Sequence, residues 1–400
     1  MIHTFELSKE ISREQYEQII SEIPMKWVNK QYGTDHFKDQ GISFISLYKS
    51  HDKTKPRILH YLIYLAINPG KMFGGDPYYA SNINSFSPAL VEVIYQNIFD
   101  VIPCLEKYPE AREKMNQEVK QVQFLDSHYL SWYLLHKAWI SENTFTASRI
   151  DYTFDIISNV HEYQALIQQG WPIKSKGYLR YNIYNKKKHI DDMSLPFNSD
   201  KDYDFLRFEL QLSGDKLYHI LKKLHNNEIP GYSESQVREL QYLISPEIEE
   251  YLLTYYVSRI TGTGIYVTKE MAYEIIDSSS YSDDAKAKLK AVIDEVSKRH
   301  GITKLFDAVR SGKVTNLGKI RTVEKHLRDI EKLGINPVTI SNRMNVPVRE
   351  MKDKNGNAFM SGKILLNPVD VIKAYIGDIK QEKQSGPTLT DDDIKAIDKL

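Results

Sequence analysis

Apolar residues recur along this chain at two periods, and the changes from one to the other mark out its elements. At the two-residue period of a strand, SRIDYTFDI (148–156) sets Arg149, Asp151, Thr153 and Asp155 against Ile150, Tyr152, Phe154 and Ile156. GYLRYNIYNKKKHI (177–190) sets Arg180, Asn182, Tyr184 and Lys186 against Leu179, Tyr181 and Ile183, and LRFELQL (206–212) sets Arg207, Glu209 and Gln211 against Leu206, Phe208, Leu210 and Leu212. Each predicts a half-buried strand with a chemically loaded open face. Upstream, GISFISLYKS and RILHYLIYLAINP are strand-length apolar runs separated by the polar, proline-containing HDKTKP, the pattern of a hairpin feeding a sheet. NPGKMFGGD reads as a turn, with no phosphate-loop spacing in its glycines.

The helical period appears elsewhere. SKEISREQYEQIISEI predicts an amphipathic helix from Ser8 to about Ile23, and SPALVEVIYQNIFDVIPCL lines up Leu90, Val91, Ile94, Ile98, Phe99 and Ile102 on one face. Residues 105–142 read as mostly helical with Pro109 as a break, and 159–169, 216–224 and 234–260 as further helical pieces. The connection 191–204 is acidic and turn-rich. TGTGIYV (261–267) reads as a hinge, beyond which YSDDAKAKLKAVIDEVSKRH, ITKLFDAVRSG, GKIRTVEKHLRDIEKLG, NPVTISNRM and LNPVDVIKAYIGDI are all helical in period, several closed by glycine. DKNGN (353–357) is a tight-turn signal, and the last twenty residues are polar. The fold class expected is α+β. An N-terminal domain over 1–262 has a central antiparallel sheet flanked by helices, a mostly helical domain covers 268–380, and 381–400 form a polar tail.

Composition narrows the picture. Apolar residues at 41% suffice for a core in each domain, and 53 basic against 53 acidic residues leave no global field toward nucleic acid or an anionic membrane. Any DNA binding must come from local patches. Two stand out: residues 173–190 carry Lys and Arg and no acid, and residues 284–334 carry a basic surplus on short helices, which suits either a helix-turn-helix-like DNA-binding module or a generic helical bundle. The single cysteine, Cys104, excludes an intramolecular disulfide and reads as a small core residue. The opening residues lack the apolar run of a signal peptide and no stretch is long enough to span a bilayer, so a cytoplasmic protein is expected. His128 and His136, eight apart, do not form a metal-ligand pattern.

Placed in one sheet with their polar faces together, the three loaded strands would assemble a phenol, carboxylates and cations. Such a set can attack a phosphodiester, with a carboxylate-held divalent cation drawing charge from the phosphate and a tyrosine oxygen attacking phosphorus. The same residues read more plainly as salt bridges, Arg149 with Asp151 and Arg207 with Glu209, on a solvated sheet face. With 27 tyrosines in the chain, residue type alone does not single out Tyr184.

The ordered set GISFISLYKS, YLIYLAINPGKMFGG, SPALVEVIYQNIFDVIPCL, SRIDYTFDI, YLRYNIYNK and LRFELQL is similar to the filamentous-phage gene-two type replication initiators. More distantly it resembles the plasmid rolling-circle initiators and conjugative relaxases. The likeness runs over residues 40 to 215, and IEKLGINPVTI adds to it near the end. It implies that Tyr184 is the nicking nucleophile, with Lys186 following, and that Asp151 and Glu209 hold or support Mg2+ or Mn2+. Periodicity adds Asp155 to that set. The His-hydrophobic-His metal motif of the wider superfamily is missing from the twelve histidines, and His60, at the head of a central strand, is the candidate in its place.

The resemblance further implies a nick that leaves a 5′-phosphotyrosine and a free 3′-hydroxyl. Because a tyrosine's ordinary pKa is near 10, Arg180, Lys186 and the metal are the groups expected to favour its phenolate. Tyr181 faces the other side of the strand, so a dimer or a second tyrosine elsewhere would have to end a replication round. The implied partners are single- and double-stranded origin DNA and the host helicase and polymerase, with no membrane. The competing classes are a non-catalytic origin-binding or copy-control protein and a conjugative relaxase using the same chemistry.

Overall fold

Strand alternation and helical periodicity together build an α+β protein. The computed structural model describes residues 2–51, 59–73, 88–119, 139–172, 179–193, 203–214, 217, 219, 240–244, 246–352 and 358–384. In chain order the elements begin β1 (Ile2–Ile11), α1 (Arg13–Glu22), β2 (Lys26–Val28), β3 (Gln31–Thr34), β4 (Ile42–His51), β5 (Leu59–Ile67), α2 (Pro69–Met72), α3 (Pro88–Val101) and α4 (Pro109–Val119). They continue with β6 (Thr146–Ile156), α5 (Val160–Gln168), β7 (Leu179–Asn185), α6 (Lys186–Asp192), β8 (Leu206–Ser213), α7 (Leu240–Leu243) and α8 (Pro246–Thr261). The last are β9 (Tyr266–Val267), α9 (Lys269–Ser278), α10 (Asp283–Arg299), α11 (Ile302–Arg310), α12 (Ile320–Lys332), β10 (Val348–Lys352), β11 (Ala358–Leu365) and α13 (Pro368–Gln384). Among the described residues no helix is long and apolar enough to cross a membrane. His128, His136, most of 216–224 and the turns 74–75 and 353–357 lie outside the described residues.

The chain divides into two compact units. Met1–Tyr152, Gln211–Glu249 and Asp378–Leu400 form the first, and Thr153–Leu210 with Glu250–Gly377 form the second. This corrects the expected break at residue 262, because TGTGIYV lies inside the second unit.

In the first unit the strands are ordered β2-β3-β4-β5-β1-β6. The expected hairpin is β4 with β5, and its register sets Ile45 beside Leu65, which in turn faces Leu7 of β1. All three are fully buried, so one apolar row crosses three strands. The helix expected from Ser8 is corrected. Residues to Ile11 are strand, and the helix begins after Ser12, whose side chain accepts the Gln15 N–H at 3.1 Å while the Gln15 side chain accepts the Ser12 N–H at 2.9 Å.

Lys9 explains why the strand is hard to read. It occupies the same inward face as Phe5, Leu7 and Ile11, and its ammonium lies 5.0 Å from the centroid of Phe145 and 6.0 Å from that of Phe99. Among the described residues its Nζ has no hydrogen-bond partner, and burial, with the Lys107 charge behind it, pushes its pKa down to about 8. Pro109 does not break a helix as expected but opens α4, at a position where its missing N–H costs nothing. Cys104 is half-buried, and burial raises its thiol pKa.

In the second unit, α9 to α12 pack through Ile276, Leu289, Val292, Val296, Leu305, Phe306, Val323 and Leu327, beside a small sheet of order β10-β11-β9. The presumptive hinge is held fast. Gly262 and Gly264 adopt φ of +69° and +81°, and a Cβ on Gly264 would meet the Ile335 backbone at 2.6 Å. Two asparagines clamp the turn. Asn336 donates to the Thr261 carbonyl at 2.7 Å, and Asn367 donates to the Gly262 and Gly264 carbonyls at 3.3 and 3.2 Å.

Each asparagine is followed by Pro-Val and accepts the N–H two residues on, the geometry of an Asx-turn. Residues 336–344, expected to be helical, therefore run as an extended loop in which Ile340 N–H bonds the Val267 carbonyl at 2.8 Å.

Lys9 gives the first prediction. Its pKa is lower in the folded chain than in the unfolded one, so its cost is fully present below about pH 8 and is relieved as the pH rises toward the ordinary lysine value. Lys9→Met is expected to raise stability at pH 7 by on the order of 2 kcal/mol in urea unfolding, with the gain shrinking above pH 8.

Candidate functional site

The site is built on β7 and on β8 up to Leu210, with the end of β6 from Thr153 beside them, all within the second unit. Alternation on β7 leaves Arg180 and Asn182 exposed and Tyr184 half-buried, while Leu179 is covered. On β8 the same alternation turns Glu209 toward them. The Tyr184 hydroxyl donates to Glu209 Oε2 at 3.2 Å, and the Asn182 amide donates to Glu209 Oε1 at 3.1 Å. The phenol and the carboxylate singled out from strand patterns are thus joined directly.

Behind this pair sits a buried ion pair. Arg207, with no exposed surface, donates through Nε and Nη2 to the two carboxylate oxygens of Asp155 at 2.8 and 2.7 Å. The plain reading had paired Arg207 with Glu209, two residues along the same strand. The structure gives Arg207 to Asp155 instead, and Glu209 is left to the tyrosine and the asparagine.

Lys186 needs a correction. It does not follow Tyr184 along the strand, because β7 ends at Asn185, whose side chain accepts the Lys188 N–H at 3.0 Å and caps α6. The tight turn into the helix still brings the Lys186 ammonium 5.8 Å from the Tyr184 ring centroid. Lys187 and Lys188, read as a strand end, belong to the helix. His189, one turn on, meets the Tyr184 ring edge-on at 5.4 Å.

These neighbours set the electrostatics. Burial, then the Glu209 carboxylate, pushes the Tyr184 phenol well above the ordinary tyrosine range, against the lowering field of Arg207. Burial, then the Arg207 charge, holds Lys186 below the ordinary lysine value. Arg180 is exposed on the same face of β7 as Asn182.

The expected metal ligands fare differently. Asp151 is buried in the first unit and held by both Nε and Nη2 of Arg149 at 2.9 and 2.6 Å, with Glu6 bound to the same guanidinium. His60 Nδ1 lies 2.6 Å from Glu10 Oε1 across β5 and β1. Asp155 has both oxygens on Arg207. Among the described residues no group of three His, Cys, Asp or Glu side chains comes together to hold a metal ion. A hard dication needs several oxygens with lone pairs to spare. Asp151, Asp155, Glu209 and His60 as arranged do not fit one.

Asn182 and His189 were not singled out by the sequence as functional. Their roles depend on strand register and on the position of the helix start, and only the alternation that put Asn182 on the face of Tyr184 pointed to either. Comparison with family models, with curated proteins and with solved structures finds no match.

Replacing one member of the buried pair should be costly. Asp155→Ala removes two charge-assisted bonds from a guanidinium that has no exposed surface, and is expected to lower stability by about 3 kcal/mol in urea unfolding. Asp155→Ala combined with Arg207→Met should lose less than the sum of the two single variants, since no buried charge is then stranded.

Proposed function

We propose that this protein is a DNA strand-nicking and rejoining enzyme, a rolling-circle replication initiator of the filamentous-phage gene-two type, with Tyr184 as its nucleophile. The observation that carries the reading is the hydrogen bond from Tyr184 to Glu209. A phenol whose pKa is raised cannot wait as a phenolate, so its proton must leave as the bond to phosphorus forms, and Glu209 is positioned to accept it. Asn182 fixes that carboxylate from its other oxygen.

The step balances as a transesterification. Tyr184 Oη bonds to phosphorus, the bond from phosphorus to the 3′ oxygen breaks, Glu209 takes the phenol proton, and Lys186, an ammonium made more acidic by burial, gives a proton to the leaving 3′ oxygen. Arg207 contributes fixed positive charge behind the site, and Arg180 a contact to the strand backbone. The products are a 5′-phosphotyrosine and a 3′-hydroxyl that a polymerase extends. One phosphodiester is exchanged for another, so reversal needs no nucleotide cofactor.

Duplex binding falls to α12. Val323, Leu327 and Ile330 bury one face, while Arg321, Lys325 and Lys332 are exposed at helical spacing on the other. A second reading, an origin-binding protein without catalysis, is favoured by the raised phenol pKa and by the arginine pairing of Asp151 and Asp155.

Covalent capture separates the two. The protein is incubated with supercoiled and single-stranded DNA in Mg2+ or Mn2+, denatured in detergent, and the modified residue is mapped by mass spectrometry. The nicking reading expects a DNA adduct on Tyr184 that vanishes in Tyr184→Phe, and a rate about a hundredfold lower or worse in Glu209→Gln. DNA binding with no adduct would give the molecule to the second reading, and an adduct on another tyrosine would keep the enzyme while discarding this site.

A further inference from the structure

Tyr181 and Tyr184 share a strand but not a neighbourhood. Tyr181 packs against Tyr256 at a centroid distance of 5.6 Å and lines a pocket of ≈ 500 Å³ within the second unit, opposite the face that carries Tyr184. Ile260 and Phe306 are its buried apolar lining, and Trp171 lies 6.0 Å from Phe306, centroid to centroid. The Trp171 backbone N–H bonds the Ile260 carbonyl at 3.0 Å and its indole N–H bonds Glu331 at 3.2 Å, so the aromatic wall is fixed from two sides.

Three arginines from three helices, Arg259, Arg310 and Arg328, reach the same pocket with exposed side chains. Arg310 shares its charge with Asp307 at 2.9 Å. Among the described residues, Arg259 and Arg328 are in no ion pair. Arg259 lies instead over the Tyr255 ring at 4.8 Å.

We propose that this pocket binds one nucleotide, its base against Trp171 and Tyr181 and its phosphate on Arg259 and Arg328. Each component points to that chemistry. Flat aromatic walls accept any base through its π-face, guanidiniums grip phosphate oxygens in pairs, and the volume suits a ligand of this size. Glu324 and Glu331 set the charge. With Arg310 offset by Asp307, two guanidiniums face these two carboxylates, a balance that suits a ligand of low charge such as one phosphodiester and opposes a triphosphate. A nucleotide within a single strand and a free mononucleotide share this chemistry. The site stands apart from the reading of Tyr184, since it uses the other face of β7.

The test uses full-length protein carrying Tyr184→Phe, so that no strand is cut, and fluorescence anisotropy with labelled thymidine oligonucleotides. Abasic oligonucleotides of equal length and charge should bind about tenfold more weakly, the worth of one stacked base. Arg259→Gln with Arg328→Gln should weaken the thymidine strand about tenfold, while Lys304→Gln, an exposed charge on α11 outside the pocket, should change it less than about twofold. Competition by thymidine monophosphate with no gain from longer strands would assign the pocket to a free nucleotide. Affinity that grows with the strand would assign it to single-stranded DNA, and both uphold a nucleotide site.

Equal affinity for thymidine and abasic strands would overturn the proposal. So would a loss from Lys304→Gln as large as that from the double arginine variant, which would mean diffuse attraction. Thermal unfolding of each variant guards against a loss due to misfolding, and the abasic comparison needs no variant in the pocket at all.

Discussion

A guanidinium without exposed surface has to be matched by charge and hydrogen bonds inside the protein, and the pairing of Arg207 with Asp155 does this beneath the face that carries Tyr184. Because Asp155 satisfies the arginine, Glu209 is released from the salt bridge that its neighbour on the strand would otherwise offer. It is this release that leaves a carboxylate for the phenol. The positive charge stays in place behind the pair, where it tempers the rise in the phenol's pKa without consuming the base. Burial and the Glu209 carboxylate raise the phenol's pKa, and the buried ion pair leaves that carboxylate hydrogen-bonded to Tyr184 and Asn182 instead of to Arg207.

Much of this was legible before any coordinates. The alternation in SRIDYTFDI, YLRYNIYN and LRFELQL correctly gave three strands, and it put Asn182 and Tyr184 on one face and Glu209 on the facing strand. What alternation cannot supply is register across strands or which partner wins a charge. Arg207 has a carboxylate two residues away in sequence and another on the neighbouring strand β6, and only the hydrogen-bonded geometry decides between them. The open face expected of β6 was wrong for a related reason. Asp151 and Thr153 are buried, and a polar residue in a strand pattern does not reveal whether another layer covers it.

The errors at the ends of elements have local causes. Lys9 broke an apolar alternation and hid β1, although its long stem runs along the core like any aliphatic chain. Asn185 and Ser12 are helix starts that side-chain capping makes obvious in space and ambiguous in sequence. Asn336 and Asn367 are the clearest case: both looked like the opening of a helix before proline, and both fold their amides back onto the turn at Gly262 and Gly264, but only Asn367 also opens a helix, α13.

The second unit is assembled from two pieces of chain separated by some forty residues that belong to the first, and the pieces are stitched together at many points. The Tyr163 hydroxyl bonds the Leu366 carbonyl, Phe154 packs on Tyr375, and the Ile302 N–H bonds the Gln169 carbonyl. During synthesis the segment carrying Tyr184 and Arg207 leaves the ribosome well before the helices that complete its core. Closing such a unit demands long-range contacts, which are slow to form and cannot be anticipated by local structure. The core of the unit that carries Tyr184 and Glu209 is therefore complete only in the finished polypeptide, and a chain ending before α13 lacks part of it.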